Sequence, residues 1–217
     1  MKEKTAFVSD FDGTITDDDF FTYASKAFFD EKSLAPWLRY KKGEISHFEA
    51  LKEMFAKIRV PLDELNSFMN TIPVDAGFIA AAQICHAKNI PVYICSAGCN
   101  YYIDYLIGNI IKEYNITLVT NQSSYNPQTG LIMQMPLAEN PYFSPETGIS
   151  KAAIVEHLHR EGYKVIYAGD GLPDYDAARN ADKVFARRDL LVKCREAGIE
   201  ASAFADFGLI NAYLKEL

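Results

Sequence analysis

Asp10 and Asp12 flank Phe11 and lead into Gly13-Thr14, directly after the apolar run Thr5-Ala6-Phe7-Val8-Ser9. On an extended chain, residues two apart project to the same side, so the two carboxylates would share a face while Phe11 enters the core. Acids at the carboxyl end of a buried parallel strand lie where open α/β sheets keep their sites. Three later stretches add groups that could work with them. Ser96 closes Val92-Tyr93-Ile94-Cys95, Lys151 follows Gly148-Ile149-Ser150, and Asp170 and Asp174 stand in Gly169-Asp170-Gly171-Leu172-Pro173-Asp174. Each has an ordinary alternative: a solvated Asp/Gly turn, a helix-capping serine, a surface lysine, an acid complementing a helix dipole. In this order, each at a strand end or helix start, they converge on one edge. Asp10, Asp12 and Asp170 crowded there would raise one another's pKa unless a cation joins them. Oxygen donors of this kind suit magnesium, which shares its shell with phosphate oxygens. Lys151 and the backbone N–H groups around Ser96 to Gly98 would make the other half, an anion site. The chemistry indicated is that of a phosphate beside a divalent ion.

The elements that must position these groups alternate. Apolar runs at Ile90 to Cys95, Ile116 to Thr120, Lys164 to Ala168 and Lys183 to Ala186 read as buried strands. Helical patterns at Gly77 to Ala87, Tyr101 to Glu113, Lys151 to Arg160 and Pro173 to Arg179 separate them. Such alternation calls for an α/β fold, a doubly wound, Rossmann-like parallel sheet with right-handed crossovers. One stretch breaks the pattern. From Asp17 to Asp75 no strand stands out, while Phe20, Phe21, Ala24, Phe28 and Phe29 recur at helical spacing, as do Phe48, Leu51, Met54 and Phe55. The expected domains are therefore a core of residues 1–16 and 76–217 and a helical cap of residues 17–75, inserted just after the two acids. A hairpin is expected from Ser123 to Pro136, turning at Asn126 to Gly130.

Composition sets bounds. The 217 residues are 49% hydrophobic and 24% charged, enough for a full core. A net charge of −7 argues against a nucleic-acid binder that relies on bulk electrostatics, but not against an anionic substrate met by a local cation. No apolar stretch approaches a membrane span, and Met1-Lys2-Glu3-Lys4 runs into the first strand without an apolar leader. Cys85, Cys95, Cys99 and Cys194 show neither metal-ligand nor disulfide spacing, so reduced, buried thiols in a cytoplasmic protein are expected. The oligomeric state stays open between monomer and homodimer.

With these residues in view, the chain resembles the haloacid dehalogenase superfamily, in the phosphoserine-phosphatase-like branch whose cap follows the first motif. The resemblance rests on Asp10 to Thr14, Ser96, Lys151 and Gly169 to Asp174, and it covers nearly the whole chain. It implies a magnesium-dependent phosphomonoesterase in which Asp10 is the nucleophile forming an aspartyl-phosphate and Asp12 the general acid and base. It also implies that Asp10, the carbonyl of Asp12 and Asp170 hold the magnesium, with Asp174 orienting its water shell or Lys151. Ser96 and Lys151, with the main-chain N–H groups of Phe11 and Ala97, would bind phosphoryl oxygens. Members acting on carbon–halogen or carbon–phosphorus bonds typically lack the second acid, here Asp12.

For the substrate, a small phosphorylated metabolite, the stretch Phe185 to Leu191 and Cys194-Arg195-Glu196 resembles the methionine-salvage 2-hydroxy-3-keto-5-methylthiopentenyl-1-phosphate phosphatases. The absence of cysteine from Ser123 to Ser150 departs from the cysteine-rich hairpin of some of them. Asp19 falls where phosphoserine phosphatases carry an acid that reads an ammonium, which keeps phosphoserine or an amino-alcohol phosphate as the alternative. Asp19 could equally cap the first cap helix. Arg39, Lys41 and Lys42 fit either a substrate carboxylate or an exposed basic face, and Phe20 and Phe21 fit either pocket or core. Phosphoryl transfer to another acceptor and a non-catalytic phosphometabolite-binding module complete the alternatives. His47, His86, His157 and His159 show no metal-ligand spacing and receive no role.

Overall fold

The computed structural model describes residues 4–217; Met1 to Glu3, on which the reading of the amino end rests, lie outside the described residues. A seven-stranded sheet is built from β1 (Lys4–Ser9), β2 (Val92–Cys99), β3 (Thr117–Asn126), β4 (Gly130–Gln134), β7 (Tyr163–Gly169), β8 (Lys183–Ala186) and β9 (Ala201–Ala203). The order across it is β4-β3-β2-β1-β7-β8-β9, parallel throughout except for β4, which pairs antiparallel with β3. A two-stranded ribbon, β5 (Phe143–Ser144) with β6 (Gly148–Ile149), stands apart. The chain runs from β1 outward through β2 and β3, then returns to place β7 on the other side of β1. The carboxyl ends of β1, β2 and β7 therefore border the switch point, where such sheets open a crevice.

The central strands β1, β2, β7 and β8 are apolar on both faces, as a sheet covered on both sides requires. Phe7, Ile94, Ile166, Ala168 and Phe185 pack into one cluster, and Ala6, Val8, Cys95, Val165, Tyr167, Val184 and Ala186 into the other. The first is covered by α5 (Ala76–Ala87), α6 (Asn100–Glu113) and α10 (Gly208–Glu216), the second by α7 (Lys151–Arg160), α8 (Tyr175–Asn180) and α9 (Arg188–Glu196). Between β1 and β2 the insertion holds α1 (Phe20–Phe28), α2 (Ala35–Lys41), α3 (His47–Phe55) and α4 (Leu62–Met69), which share the first cluster through Phe20, Phe48, Met54, Phe55, Leu65 and Met69. Its two ends meet: Thr16 bridges Val74, and the Asp75 N–H donates to the Ile15 carbonyl at 2.9 Å.

Several boundaries differ from the expectation. The hairpin's first arm is not a separate strand; β3 runs unbroken from the sheet into it, so Tyr125 reaches the Val60 carbonyl in the insertion. The expected Pro173 to Arg179 helix divides into a 3-10 turn (Leu172–Asp174) and α8. β9, α9 and α10 were not expected, since the apolar residues of this tail come in short groups and never form a long run. The four cysteines are free and buried.

Arg187, at the end of β8, ties the tail to the loop after β1. Its guanidinium donates to the carbonyls of Gly13 (2.6 Å), Thr16 (2.7 Å) and Ala205 (3.0 Å). Arg187→Ala should lower the unfolding free energy by about 2–3 kcal/mol, measured by chemical denaturation, because it orphans several part-buried acceptors. Arg187→Lys should restore little of that, since one ammonium cannot reproduce the planar fork.

Candidate active site

The residues singled out from the sequence surround one cavity of about 710 Å³ at the carboxyl edge of the sheet. Asp10, Asp12, Asp19, Ser96, Ala97, Lys151, Asp170 and Asp174 all line it. Phe11 does not; its ring is buried in the core against Tyr102. The two leading acids are not presented by an extended strand. β1 stops at Ser9, and the N–H groups of Thr14, Ile15 and Thr16 all turn back to the Phe11 carbonyl. Gly13 makes this turn possible at φ 69°. A Cβ there would lie 2.2 Å from Asp170 Oδ2, so glycine is also what lets β7's acid approach the β1 loop.

Asp10 is buried, and its Oδ1 accepts from the Phe11 N–H and from Lys151 Nζ, both at 2.7 Å. Its Oδ2 has no protein hydrogen-bond partner among the described residues. The Phe11 N–H, expected to face a phosphoryl oxygen, is thus already engaged by the neighbouring carboxylate. Ser96 is similarly committed: its Oγ donates to Asp12 Oδ2 (2.9 Å) and accepts from the Gly98 N–H (2.9 Å). Asp12 Oδ2 also accepts from Tyr102 Oη at 2.6 Å, and Oδ1 from the Phe20 N–H at 3.0 Å. Burial pushes the Asp12 carboxyl up, opposed by the bonds from Tyr102, Phe20 and Ser96.

Lys151 opens α7 behind the Ser150 cap and is itself buried. Burial disfavours its ammonium, but Asp10 and Asp174, the latter at 2.6 Å, outweigh this and raise its pKa. Asp174 spends both oxygens on the protein. Oδ1 accepts from Lys151 and Tyr167 Oη (2.5 Å), and Oδ2 from the N–H groups of Asp170 (3.2 Å) and Gly171 (2.9 Å). A carboxylate offers about four lone-pair positions, and here all four are taken. Carboxylate oxygens of Asp10, Asp170 and Asp174 lie within 4.8 Å of one another. Of these three, Asp10 and Asp170 keep oxygens for a ligand, while Asp174 organises Lys151 and the β7 loop. Burial, then Asp174 and Asp170, raise Asp10 well above the carboxylate range even against Lys151. Burial, then Asp174 and Asp19, push Asp170 up to about 7. Such a cluster fits a hard divalent cation, whose charge removes the mutual repulsion.

Asp19 sits at the N-cap position of α1 yet makes no capping bond; its side chain lines the cavity, and burial with Asp12 and Asp18 pushes it up to about 6. Of the three basic residues considered, Lys41 lines the cavity, whereas Arg39 pairs outward with Glu53 (3.2 Å) and Glu44 (3.9 Å). Phe21 lines it, while Phe20 stacks on Tyr102 at 4.1 Å in the core. The sequence reading missed Tyr102, Trp37, Tyr40, His47 and Arg188, all around the cavity. Arg188 adopts φ 49° and directs its guanidinium to Asp170 Oδ2 (3.3 Å), Asp18 (3.7 Å) and the Asp17 carbonyl. Gly98 is the one sequence signal for Tyr102, since a Cβ there would fall 1.6 Å from the phenol oxygen.

The model of the family described as Putative Phosphatase matches residues 5–198. The chain belongs to that family. Among curated relatives, a 2-hydroxy-3-keto-5-methylthiopentenyl-1-phosphate phosphatase of Bacillus cereus (strain B4264) is 28% identical over 210 residues, covering 96% of this chain and 94% of the relative. One of the same name from Bacillus velezensis is 27% identical over 223 residues, covering 100% and 92%. A substrate-bound phosphoserine phosphatase complex superposes with TM-score 0.68 at 15% identity, covering 98% of this chain and 99% of that one. A phospho-aspartyl intermediate analogue of phosphoserine phosphatase gives 0.68 at 16% identity, with the same coverage. These structures share the fold, and the expected phosphatase with a helical insertion after the first strand stands.

Two outcomes follow from the geometry. In metal-free protein, the raised carboxyls of Asp10, Asp12 and Asp170 hold protons that the unfolded chain releases above about pH 4. The unfolding free energy should therefore fall as pH rises from about 4 to 7, and a thermal melt in chelator should be lower at pH 7.5 than at pH 5. Added magnesium should close most of that gap; an unchanged gap would exclude a cation from the cluster. Tyr102→Phe keeps the stacked ring and deletes one bond to Asp12, so kcat should fall about tenfold with little change in the melting temperature.

Proposed function

We propose that this phosphatase is a magnesium-dependent phosphomonoesterase that works through an aspartyl-phosphate on Asp10. The observation that carries the reading is the asymmetry of Asp10: Oδ1 is held by Lys151 and the Phe11 N–H, while Oδ2 has no hydrogen-bond partner among the described residues and belongs to a cavity-lining side chain. A nucleophile needs one free oxygen and a fixed orientation. Asp10 Oδ2 attacks phosphorus as the ester oxygen departs, and Asp12 donates its proton to that oxygen. Asp12 then takes a proton from the water that cleaves the acyl phosphate, regenerating the Asp10 carboxylate. Its raised pKa supports the first, protonated role. Asp10, the Asp12 carbonyl and Asp170 would hold magnesium, which would neutralise charge on the phosphoryl oxygens. Lys151 supplies the opposing positive charge, with Ser96 and the Ala97 N–H beside it, and Asp174 keeps Lys151 in place.

The full-length relatives support 2-hydroxy-3-keto-5-methylthiopentenyl-1-phosphate as the substrate. A second reading, phosphoserine or an amino-alcohol phosphate, is favoured by Asp19, a half-buried acid at an N-cap that makes no capping bond and lines the cavity. Residues 17–75 would act as a cap domain on a core of residues 1–16 and 76–217, pivoting where Thr16 and Val74 pair. Four free thiols are consistent with a reducing, cytoplasmic setting.

The test is phosphate release with magnesium across the keto-phosphate, phosphoserine, phosphoethanolamine and phosphocholine. Asp10→Asn should abolish release while leaving the fold intact by circular dichroism; appreciable residual hydrolysis would remove Asp10 as nucleophile. Asp19→Ala should lower kcat/KM at least tenfold for an ammonium-bearing substrate and less than threefold for the keto-phosphate. Loss on both alike would deny Asp19 a part in selectivity.

A further inference from the structure

The insertion contributes a wall to the cavity that the phosphate chemistry does not use. Phe21, Trp37, Tyr40 and His47 line it together. The Phe21 and Trp37 rings stack at 4.3 Å, and His47 meets Trp37 (5.8 Å) and Tyr40 (5.3 Å) edge-on. The stacking leaves no slot between the rings, so the group is a wall and not a cage. Lys41 lines the same region, which disfavours a cationic occupant.

His47 begins α3, and its position is fixed from the core side. Its N–H donates to Glu146 Oε1 at 3.0 Å, and that of Phe48 to the Glu146 carbonyl at 2.9 Å. The two ring nitrogens differ. Among the described residues neither nitrogen has a hydrogen-bond partner, but Nδ1 is sealed from solvent whereas Nε2 is not among the sealed atoms. A sealed, unpaired N–H donor costs more than a sealed, unpaired lone pair. The proton of the neutral ring therefore resides on Nε2, the nitrogen left for the cavity. Burial and the Lys151 ammonium push the imidazole down to about 4, so it is uncharged at neutral pH.

We propose that His47 selects the leaving group: its Nε2–H donates to a carbonyl or hydroxyl oxygen of a small phosphomonoester whose apolar part lies on the Phe21 and Trp37 rings. The proposal rests on the phosphomonoesterase reading above and adds the class of substrate to it. A neutral donor beside an apolar wall fits an uncharged, oxygenated leaving group. By itself it brings no charge to a carboxylate or an ammonium, which only Lys41 or Asp19 elsewhere on the lining could supply. The sequence concealed this because a single histidine at a helix start, after a capping serine, carries no spacing signal.

The test compares hydroxyacetone phosphate with n-propyl phosphate, which has the same length but lacks the carbonyl. His47→Leu should cut kcat/KM for the ketone about tenfold and change that for the propyl ester less than twofold. His47→Gln, which restores an N–H donor, should recover most of the ketone's loss. An equal fall for both esters would make His47 a packing residue and overturn the proposal, as would an unchanged ketone. No release from either ester by the unaltered protein would overturn the phosphomonoesterase reading and this inference with it. The ring is also read without turnover: nitrogen NMR should show His47 neutral and protonated on Nε2 from pH 6 to 8. A proton on Nδ1 would overturn the proposal even in an active enzyme.

Discussion

One buried ammonium sets the terms for the rest of the site. Lys151 lies between Asp10 and Asp174, 2.7 and 2.6 Å from their oxygens, with almost no contact with water. Taking a charge of either sign into such a place costs several kcal/mol, and only close, well-directed opposite charge offsets it. The surrounding structure is arranged to that end. Ser150 starts α7 where the ammonium must enter, Tyr167 on β7 and two loop N–H groups saturate Asp174, and the turn at Gly13 lets Asp170 close on the β1 loop. The result is an excess of carboxylate over ammonium, which favours binding a further cation together with an anion that the cation can share.

The insertion is joined to this machinery at several points, most of them around the cavity. Phe20 reaches Asp12 through its backbone and Tyr102 through its ring. Glu146 holds the start of α3, Arg188 spans from Asp170 to Asp17 and Asp18, and the β3 extension brings Tyr125 to Val60. The core thus lines the cavity with its carboxylates and Lys151 and the insertion with Phe21, Trp37, Tyr40 and His47, with Asp12 in contact with both. Chemistry that needs a proton delivered only when the leaving group is seated is well served by that division.

The carboxylates, the serine and the lysine that meet at the cavity were legible in the sequence because each is placed locally. Asp10, Asp12, Ser96, Lys151, Asp170 and Asp174 each stand at a strand end or helix start, and parallel-sheet topology carries such points to one edge. The strand and helix pattern around them was legible for the same reason. What escaped depends on long-range packing. Tyr102 looks like one aromatic in an amphipathic helix until Gly98 is seen to admit its hydroxyl. Arg188 is one of a basic pair, and only its left-handed backbone separates its direction from that of Arg187. The extended-strand argument also placed Asp10 and Asp12 in one cavity for an incomplete reason, since they reach it from a turn. β9, α9 and α10 were missed because the tail's apolar residues are scattered, and those it buries, such as Leu190, Cys194, Phe207, Ile210 and Leu214, form no unbroken run.

The contact from Phe20 to Asp12 has a consequence for how such a protein can diversify. Its donor is a main-chain N–H, which every residue except proline possesses. Side chains on the insertion can therefore be exchanged without disturbing that link to Asp12. The tie between insertion and core runs through the peptide bond, and the lining of the cavity is left to the replaceable part of the chain.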